Sequence, residues 1–223
     1  MLEFGGAVKS PSPRESLPMP APAQKPRQPR AKATQERLLA SAFALVTEQG
    51  FGEVRMTDIT ARAGCAVGTA YYLFGNRDGL FRAMKERFLE DMRARIGKLA
   101  GEPRLLTEPM EEVADAITED LLAQLRANEG FLRAALTRAA EQPEEWRDFR
   151  TLVGEMRGGL VRALAPRLDA IAHPDPALAL GFALQLVFSA CVNAMLNDPG
   201  PLGLHDGAFE RELKRMMRAY LGL

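Results

Sequence analysis

From Pro176 to Asn197 the chain carries no charged side chain. A helix of that length can cross a bilayer, so the segment must either span a membrane or be covered on most of its surface by protein. Gln185, Ser189 and Asn193 recur along one stripe, and no Lys/Arg cluster lies immediately beside either end. Both features favour a buried helix over a membrane span. A second stripe holds the small residues Ala179, Ala183, Ala190 and Ala194, and the last segment repeats Phe209, Leu213, Met216, Met217 and Tyr220 on one face. A single chain would struggle to cover both helices. Two copies of each would form a four-helix seam, which predicts a homodimer through Ala183, Leu184, Val187, Ala190, Leu213, Met217 and Tyr220. The alternative is an ordinary core within one chain.

The rest of the chain is also helical in pattern. Leu38, Leu39, Ala42, Phe43, Leu45 and Val46 follow three-and-four spacing behind a candidate N-cap at Thr34, and Gly50 closes the segment. Short helices are predicted over 56–63 and 67–74, then a long one over 77–99. Further helices are predicted over 109–127, 129–141, 143–168, 176–197 and 206–221. Pro109, Pro143 and Pro176 would each stand in a first turn, where the missing N–H has no helical partner to lose. No useful run of period-two alternation appears. The fold expected is all-α: a small N-terminal bundle joined by a long helix to a larger antiparallel C-terminal bundle.

Composition narrows the function classes. Apolar residues are 47% and charged residues 26% of the 223, which excludes a disordered, collagen-like or polytopic membrane chain. Cys65 and Cys191 are the two cysteines, too few for a disulfide framework, and His173 and His205 have no neighbours at metal-ligand spacing. No metal and no cofactor are expected. No G-x-S-x-G, P-loop or dinucleotide fingerprint occurs, so no catalytic residue is assigned and an enzyme is disfavoured. The net charge of zero hides an excess of six positive charges in residues 1–100 and six negative ones in 101–223. A basic half suits a polyanionic partner. Residues 1–33 are rich in proline, with Lys25, Arg27, Arg30 and Lys32 near their end. They read as a disordered arm, either a solvated leader or a basic strap that touches phosphates or a minor groove. The start lacks a signal-peptide core, so a cytoplasmic, nucleoid-associated location is expected.

Three short helices joined by a glycine turn behind a basic arm are the parts of a helix-turn-helix reader. The residues themselves carry a resemblance. Arg37-Leu38-Leu39 through Gly50-Phe51 comes first, followed by Asp58-Ile59-Thr60-Ala61-Arg62-Ala63-Gly64. Gly68-Thr69-Ala70-Tyr71-Tyr72-Leu73-Phe74-Gly75-Asn76-Arg77-Asp78-Gly79-Leu80-Phe81 completes the pattern. It resembles the tetracycline-repressor (TetR/AcrR) family over about residues 35–82. The resemblance implies a homodimeric transcription factor, usually a repressor, whose N-terminal domain binds a palindromic double-stranded operator. It further implies a C-terminal domain that dimerises and encloses a ligand pocket, with ligand binding lowering DNA affinity. The domains expected are the arm over 1–33, the DNA-binding domain over 34–82 (the motif at about 54–74), and the ligand-binding and dimerisation domain over 83–223. A helical protein-binding adaptor, or a regulator that activates, are the alternatives.

The sequence departs from the family pattern in places. Arg55 stands where a capping Thr is frequent and Ala66 where a Ser is usual, so two helix caps are lost. Val67 and Leu73 replace a frequent Lys and His. The residues expected at DNA are Arg55, Thr57, Val67, Gly68, Thr69, Tyr71, Tyr72, Leu73 and Arg77, with Arg77 on a phosphate. Arg55 reads either as a phosphate contact or as a solvated charge. The reading helix lacks Arg, Lys, Asn and Gln, so thymine methyls, single hydroxyl bonds and DNA shape must carry sequence readout. Phe131, Trp146, Phe149, Met156, Phe182, Gln185 and Phe188 are the candidate lining of a pocket for a small apolar or amphipathic ligand. The same residues would serve as ordinary core.

Overall fold

The computed structural model describes residues 29–197 and 200–223. The arm expected before them, with Lys25 and Arg27, lies outside the described residues. Among the described residues all regular structure is helical.

Helix α1 (Pro29–Gln49) begins five residues before the expected start. Arg30 and Lys32 therefore sit on a helix rather than in an arm. Thr34 does not cap this helix; its hydroxyl donates back to the Arg30 carbonyl at 3.0 Å. Leu38, Leu39, Ala42 and Val46 are buried, and Gly50 at φ +79° ends the element. Helices α2 (Met56–Ala63) and α3 (Val67–Phe74) have the expected bounds. Between them Gly64 takes φ +63°, a left-handed turn that glycine enters without the β-carbon penalty. Helix α4 (Arg77–Ala100) is capped by the Asn76 side chain, which accepts from the Gly79 N–H at 2.9 Å.

After the short α5 (Arg104–Thr107), which carried no sequence signal, come α6 (Met110–Ala127) and α7 (Glu129–Glu141). The single helix expected over 143–168 is three pieces: a 3₁₀ turn at Pro143–Trp146, helix α8 (Arg147–Ala163), and a second 3₁₀ turn at Ala165–Ala170. Pro166 explains the second break. It has no N–H to continue the ladder, and its ring would meet the carbonyl four residues back. Helices α9 (Pro176–Asn197) and α10 (Gly207–Leu221) follow.

The C-terminal bundle packs α6 on α10, α4 on α8, and α9 against α6, α8 and α10. The two bundles share α4 and also meet where α7 crosses α1. Gly130 makes that crossing possible, because a β-carbon there would stand 2.5 Å from the Val46 carbonyl oxygen. Beside it Phe131 is the hub of the junction. Its ring lies 5.4 Å from Phe43 of α1, 5.6 Å and 5.3 Å from Phe81 and Phe88 of α4, and 6.3 Å from Phe149 of α8. Contacts of this kind add to area burial by about 1 kcal/mol each.

Candidate nucleic-acid interface and apolar cavity

Helix α3 is held by two side chains. Ala70 and Phe74 are buried in the core that α3 shares with α2 and α4. With those anchors inward, the opposite face must look out. Val67, Tyr71 and Tyr72 are 39%, 51% and 77% exposed, and Gly68 is exposed between them. Thr69 and Leu73 are only half exposed, and Leu73 packs against the core. Leu73 thus serves the bundle more than an outer surface, because its place one residue before the Phe74 anchor turns it sideways. Ala66 gives α3 no side-chain cap, as its chemistry requires.

At the start of α2 the Arg55 guanidinium cannot accept a hydrogen bond. The Asp58 carboxylate instead accepts the Arg55 backbone N–H at 3.3 Å, one half of a capping box. Thr57 is exposed, and its hydroxyl donates to Asp58 at 3.4 Å. Arg55, Thr57, Tyr71, Asn76 and Arg77 surround one concavity, into which the N-terminal ends of α2 and α4 both open. Helix N-termini carry partial positive charge and favour anions.

Arg77 already has partners. Its guanidinium donates to the carbonyls of Phe51 and, at 2.8 Å, Gly52, and lies 4.7 Å over the Phe51 ring. It ties the α1–α2 loop to the head of α4, so the expectation that it is spent on a phosphate is revised toward positioning. Sequence reasoning did not single out Asn76 or Gly79. An Asn just before a helical segment is a legible N-cap signal. A β-carbon at Gly79 would overlap the Phe74 carbonyl oxygen, so the tight α3–α4 corner requires glycine.

In the C-terminal bundle, α4, α6, α7, α8 and α9 line a cavity of about 90 Å³ that is partly open to solvent. Trp146, Phe149, Met156 and Phe188 line it, as expected. The other three candidates do not. Phe131 is the buried junction hub, 1% exposed, while Phe182 and Gln185 point outward from α9. Leu184, expected at a dimer seam, lines the cavity instead. Trp146 stacks on Phe149 at 4.5 Å. Lys85 of α4 holds this corner by ion pairs to Asp148 at 3.0 Å and Glu145 at 3.1 Å. Burial works against its charge, but the bonds to Asp148 and Glu145 prevail and hold the ammonium pKa above its ordinary value. The polar members of the lining are Arg95, Asp120 and Gln124. Arg95 forks onto both oxygens of Asp120, and those bonds hold its pKa up.

The seam expected at Ala183, Leu184, Val187, Leu213 and Met217 is not a surface. All five are buried inside the chain, because that side of α9 faces α6, α8 and α10. Ala190 and Tyr220 remain half exposed. The outer face of α9 is Leu178 (62% exposed), Phe182, Gln185, Ser189, Asn193 and Leu196. Phe182 lies 5.6 Å from the Tyr220 ring of α10. This helix is long and apolar enough to cross a membrane, yet half of its most apolar window is buried in the bundle. Cys191 on the inner side is fully buried, and burial pushes its thiol up to about 12. The histidines have local partners: His205 meets the Glu129 carboxylate at 2.7 Å, and His173 closes a turn on Asp175.

Comparison with known proteins agrees with this architecture. Residues 38–84 match the family described as bacterial regulatory proteins, tetR family, and residues 109–221 match the tetracyclin repressor-like C-terminal domain. The chain is 27% identical over 104 residues to the HTH-type transcriptional regulator CymR of Pseudomonas putida, 45% of this chain and 51% of that protein. It is 32% identical over 68 residues to the HTH-type regulator YvdT of Bacillus subtilis, 30% of this chain and 35% of that one. The matched stretches thus span about half and a third of these curated relatives. A TetR-family regulator from Mesorhizobium loti superposes with a TM-score of 0.65 at 18% identity, covering 87% of this chain and 98% of its own. One from Haloarcula marismortui gives 0.64 at 17%, covering 86% and 97%. At such identities the likeness is one of fold. Regulators of this family are not enzymes. With both halves of the fold matched in order, the chain belongs to the TetR family of bacterial transcriptional regulators.

Proposed function

We propose that this regulator is a homodimeric repressor that binds a palindromic operator and leaves it when a small apolar or amphipathic molecule enters the α4–α9 cavity. The observation that carries the reading is the outer face of α3. Val67, Gly68, Tyr71 and Tyr72 stand exposed on a short helix anchored by Ala70 and Phe74. Large apolar side chains kept in water on an otherwise well-buried bundle mark a binding surface.

In this reading Val67 meets a thymine methyl, the tyrosine hydroxyls make single bonds to base or phosphate, and DNA shape supplies the remaining specificity. Arg55, Thr57, Thr69 and the N-termini of α2 and α4 hold phosphates, while Arg77 fixes the loop that positions them. The partner copy covers the outer α9 face around Phe182 and Tyr220, which puts two α3 helices on successive major grooves. Such a protein works on the chromosome in the cytoplasm. A ligand releases DNA only if it binds one dimer geometry better than the other, and DNA must then weaken the ligand in equal measure.

The test is selection of bound sequences from a random duplex library by the full chain, followed by titrations at four salt concentrations. A palindromic motif with two half-sites about one helical turn apart is the expected result. Recovery of no motif, with only salt-sensitive binding to any duplex, defeats the reading.

A further inference from the structure

Resting on the reading of the α4–α9 cavity as the ligand site, we infer that its ligand is an uncharged molecule built on a single ring. Three observations converge. The first is the lining: the rings of Phe88, Trp146, Phe149 and Phe188, with Met92 and Met156 between them. Polarizable thioethers and ring faces suit a flat apolar guest.

The second is charge. Arg95 and Asp120 are the charged residues at the cavity, and they fork onto each other. The pair lies toward solvent, with the Arg95 side chain 46% and the Asp120 side chain 18% exposed, and the wall beneath it is apolar. A carboxylate or ammonium guest seated against that wall gives up its hydration and finds no charged partner there. Beside the Trp146 indole N–H, which only donates, Gln124 is the uncharged polar side chain in the lining. It can bond one hydroxyl or carbonyl on the guest without disturbing the pair.

The third is size. A dry apolar cavity of about 150 Å³ takes one benzene ring, whereas this one measures about 90 Å³. A single ring already exceeds this void and enters as Met92 and Met156 swing aside. The guest therefore strains the α4–α8 wall as it enters. That wall is continuous with the Phe88–Phe131 junction to the DNA-binding bundle.

Trp146 is the only tryptophan, so its emission reports the cavity directly. The full chain is titrated at pH 7 with toluene, benzyl alcohol, benzoate and benzylammonium. Toluene and benzyl alcohol should change the emission saturably, and the two ions should bind at least tenfold more weakly. Gln124→Leu should erase any advantage of benzyl alcohol over toluene. Val153→Phe, which fills the cavity from α8, should abolish the toluene response. Leu121→Phe does the same from α6 if the first variant folds poorly. The inference is overturned if benzoate or benzylammonium binds as tightly as toluene, if toluene still saturates in a folded filling variant, or if neither neutral compound saturates. Operator binding is measured separately. A charged compound that binds and releases DNA sinks this inference and leaves the regulator reading standing; a chain that takes toluene and binds no DNA does the reverse.

Discussion

Helices α3 and α9 are both apolar and both free of charged residues, yet they treat their apolar surface in opposite ways. In the eight residues of α3, Ala70 and Phe74 are buried and the large side chains Val67, Tyr71 and Tyr72 stay in solvent. In the 22 residues of α9 the inner face is sealed chiefly by α6, α8 and α10, and its outer face mixes Leu178, Phe182 and Leu196 with Gln185, Ser189 and Asn193. A helix without charge therefore says that something covers it, but not which side. In α3 that side is set locally, by the glycine turns at Gly64 and Gly75 and the Phe74 anchor. In α9 it is set at a distance, by α6, α8 and α10.

The sharpest way to break this comparison is a carboxylate on each side of α9. Leu184→Glu buries an unpaired charge, and we expect a loss of about 3 kcal/mol, enough to lower the melting temperature by roughly 10 °C. Phe182→Glu should keep the helical content and convert the proposed dimer to monomer in sedimentation. Similar melting of the two variants would remove the distinction between inner and outer face. On α3, Tyr72→Ala should weaken operator binding about tenfold, or about 1.4 kcal/mol, while stability moves by no more than about 0.5 kcal/mol. A large drop in stability would mean that Tyr72 belongs to the core, contrary to its exposure.

Smaller effects sharpen the picture. Arg77→Ala removes two carbonyl bonds and a ring contact, so the N-terminal bundle should lose about 1 kcal/mol. Lys at this position keeps the charge but not the fork, and should recover only part of the loss. The salt slope of DNA binding should stay unchanged. A slope flattened by about one per half-site, with stability intact, would return Arg77 to a phosphate. The smallest effect is at Glu129. Burial pushes against its charge, but bonds from His205 and Arg133 outweigh that and hold the carboxyl below its ordinary value of 4.5. Its folded pKa is depressed, so its contribution is present above 4.5 and fades as the pH falls through the lower folded value. Glu129→Gln should cost about 0.5 kcal/mol at pH 7, and its stability curve should merge with that of the parent in acid.

The all-α class and the bounds of α2, α3, α7 and α9 were legible because glycines, prolines and periodicity mark them locally. That Val67, Tyr71 and Tyr72 share the outer face of α3 was legible for the same reason. Arg77 was only partly legible: as a cation opening a helix it suggested a phosphate, and nothing in the sequence reports that the Phe51 and Gly52 carbonyls lie within its reach. The seam was misread at Leu184 and Met217 because the small-residue stripe of α9 and the apolar face of α10 were both assigned to a partner copy, whereas they pack on each other and on α6 and α8 within the chain; the Gln185, Ser189 and Asn193 stripe marks the outer side. The cavity was half legible. Trp146 and Phe149 follow from the stretch around Pro143, whereas Phe131 and Phe182 part only once the bundle is assembled.

The glycine at the crossing of α7 and α1 bears on how members of this family could exchange parts. A DNA-binding head grafted onto this C-terminal body by a junction within α4 would inherit more than one seam. Its first helix would have to bring backbone to the position now held by Val46, opposite a residue with no side chain. It would also have to offer a ring where Phe43 meets Phe131. A head swapped in within α4 should therefore keep the stability of the parent only if its first helix ends in the same posture.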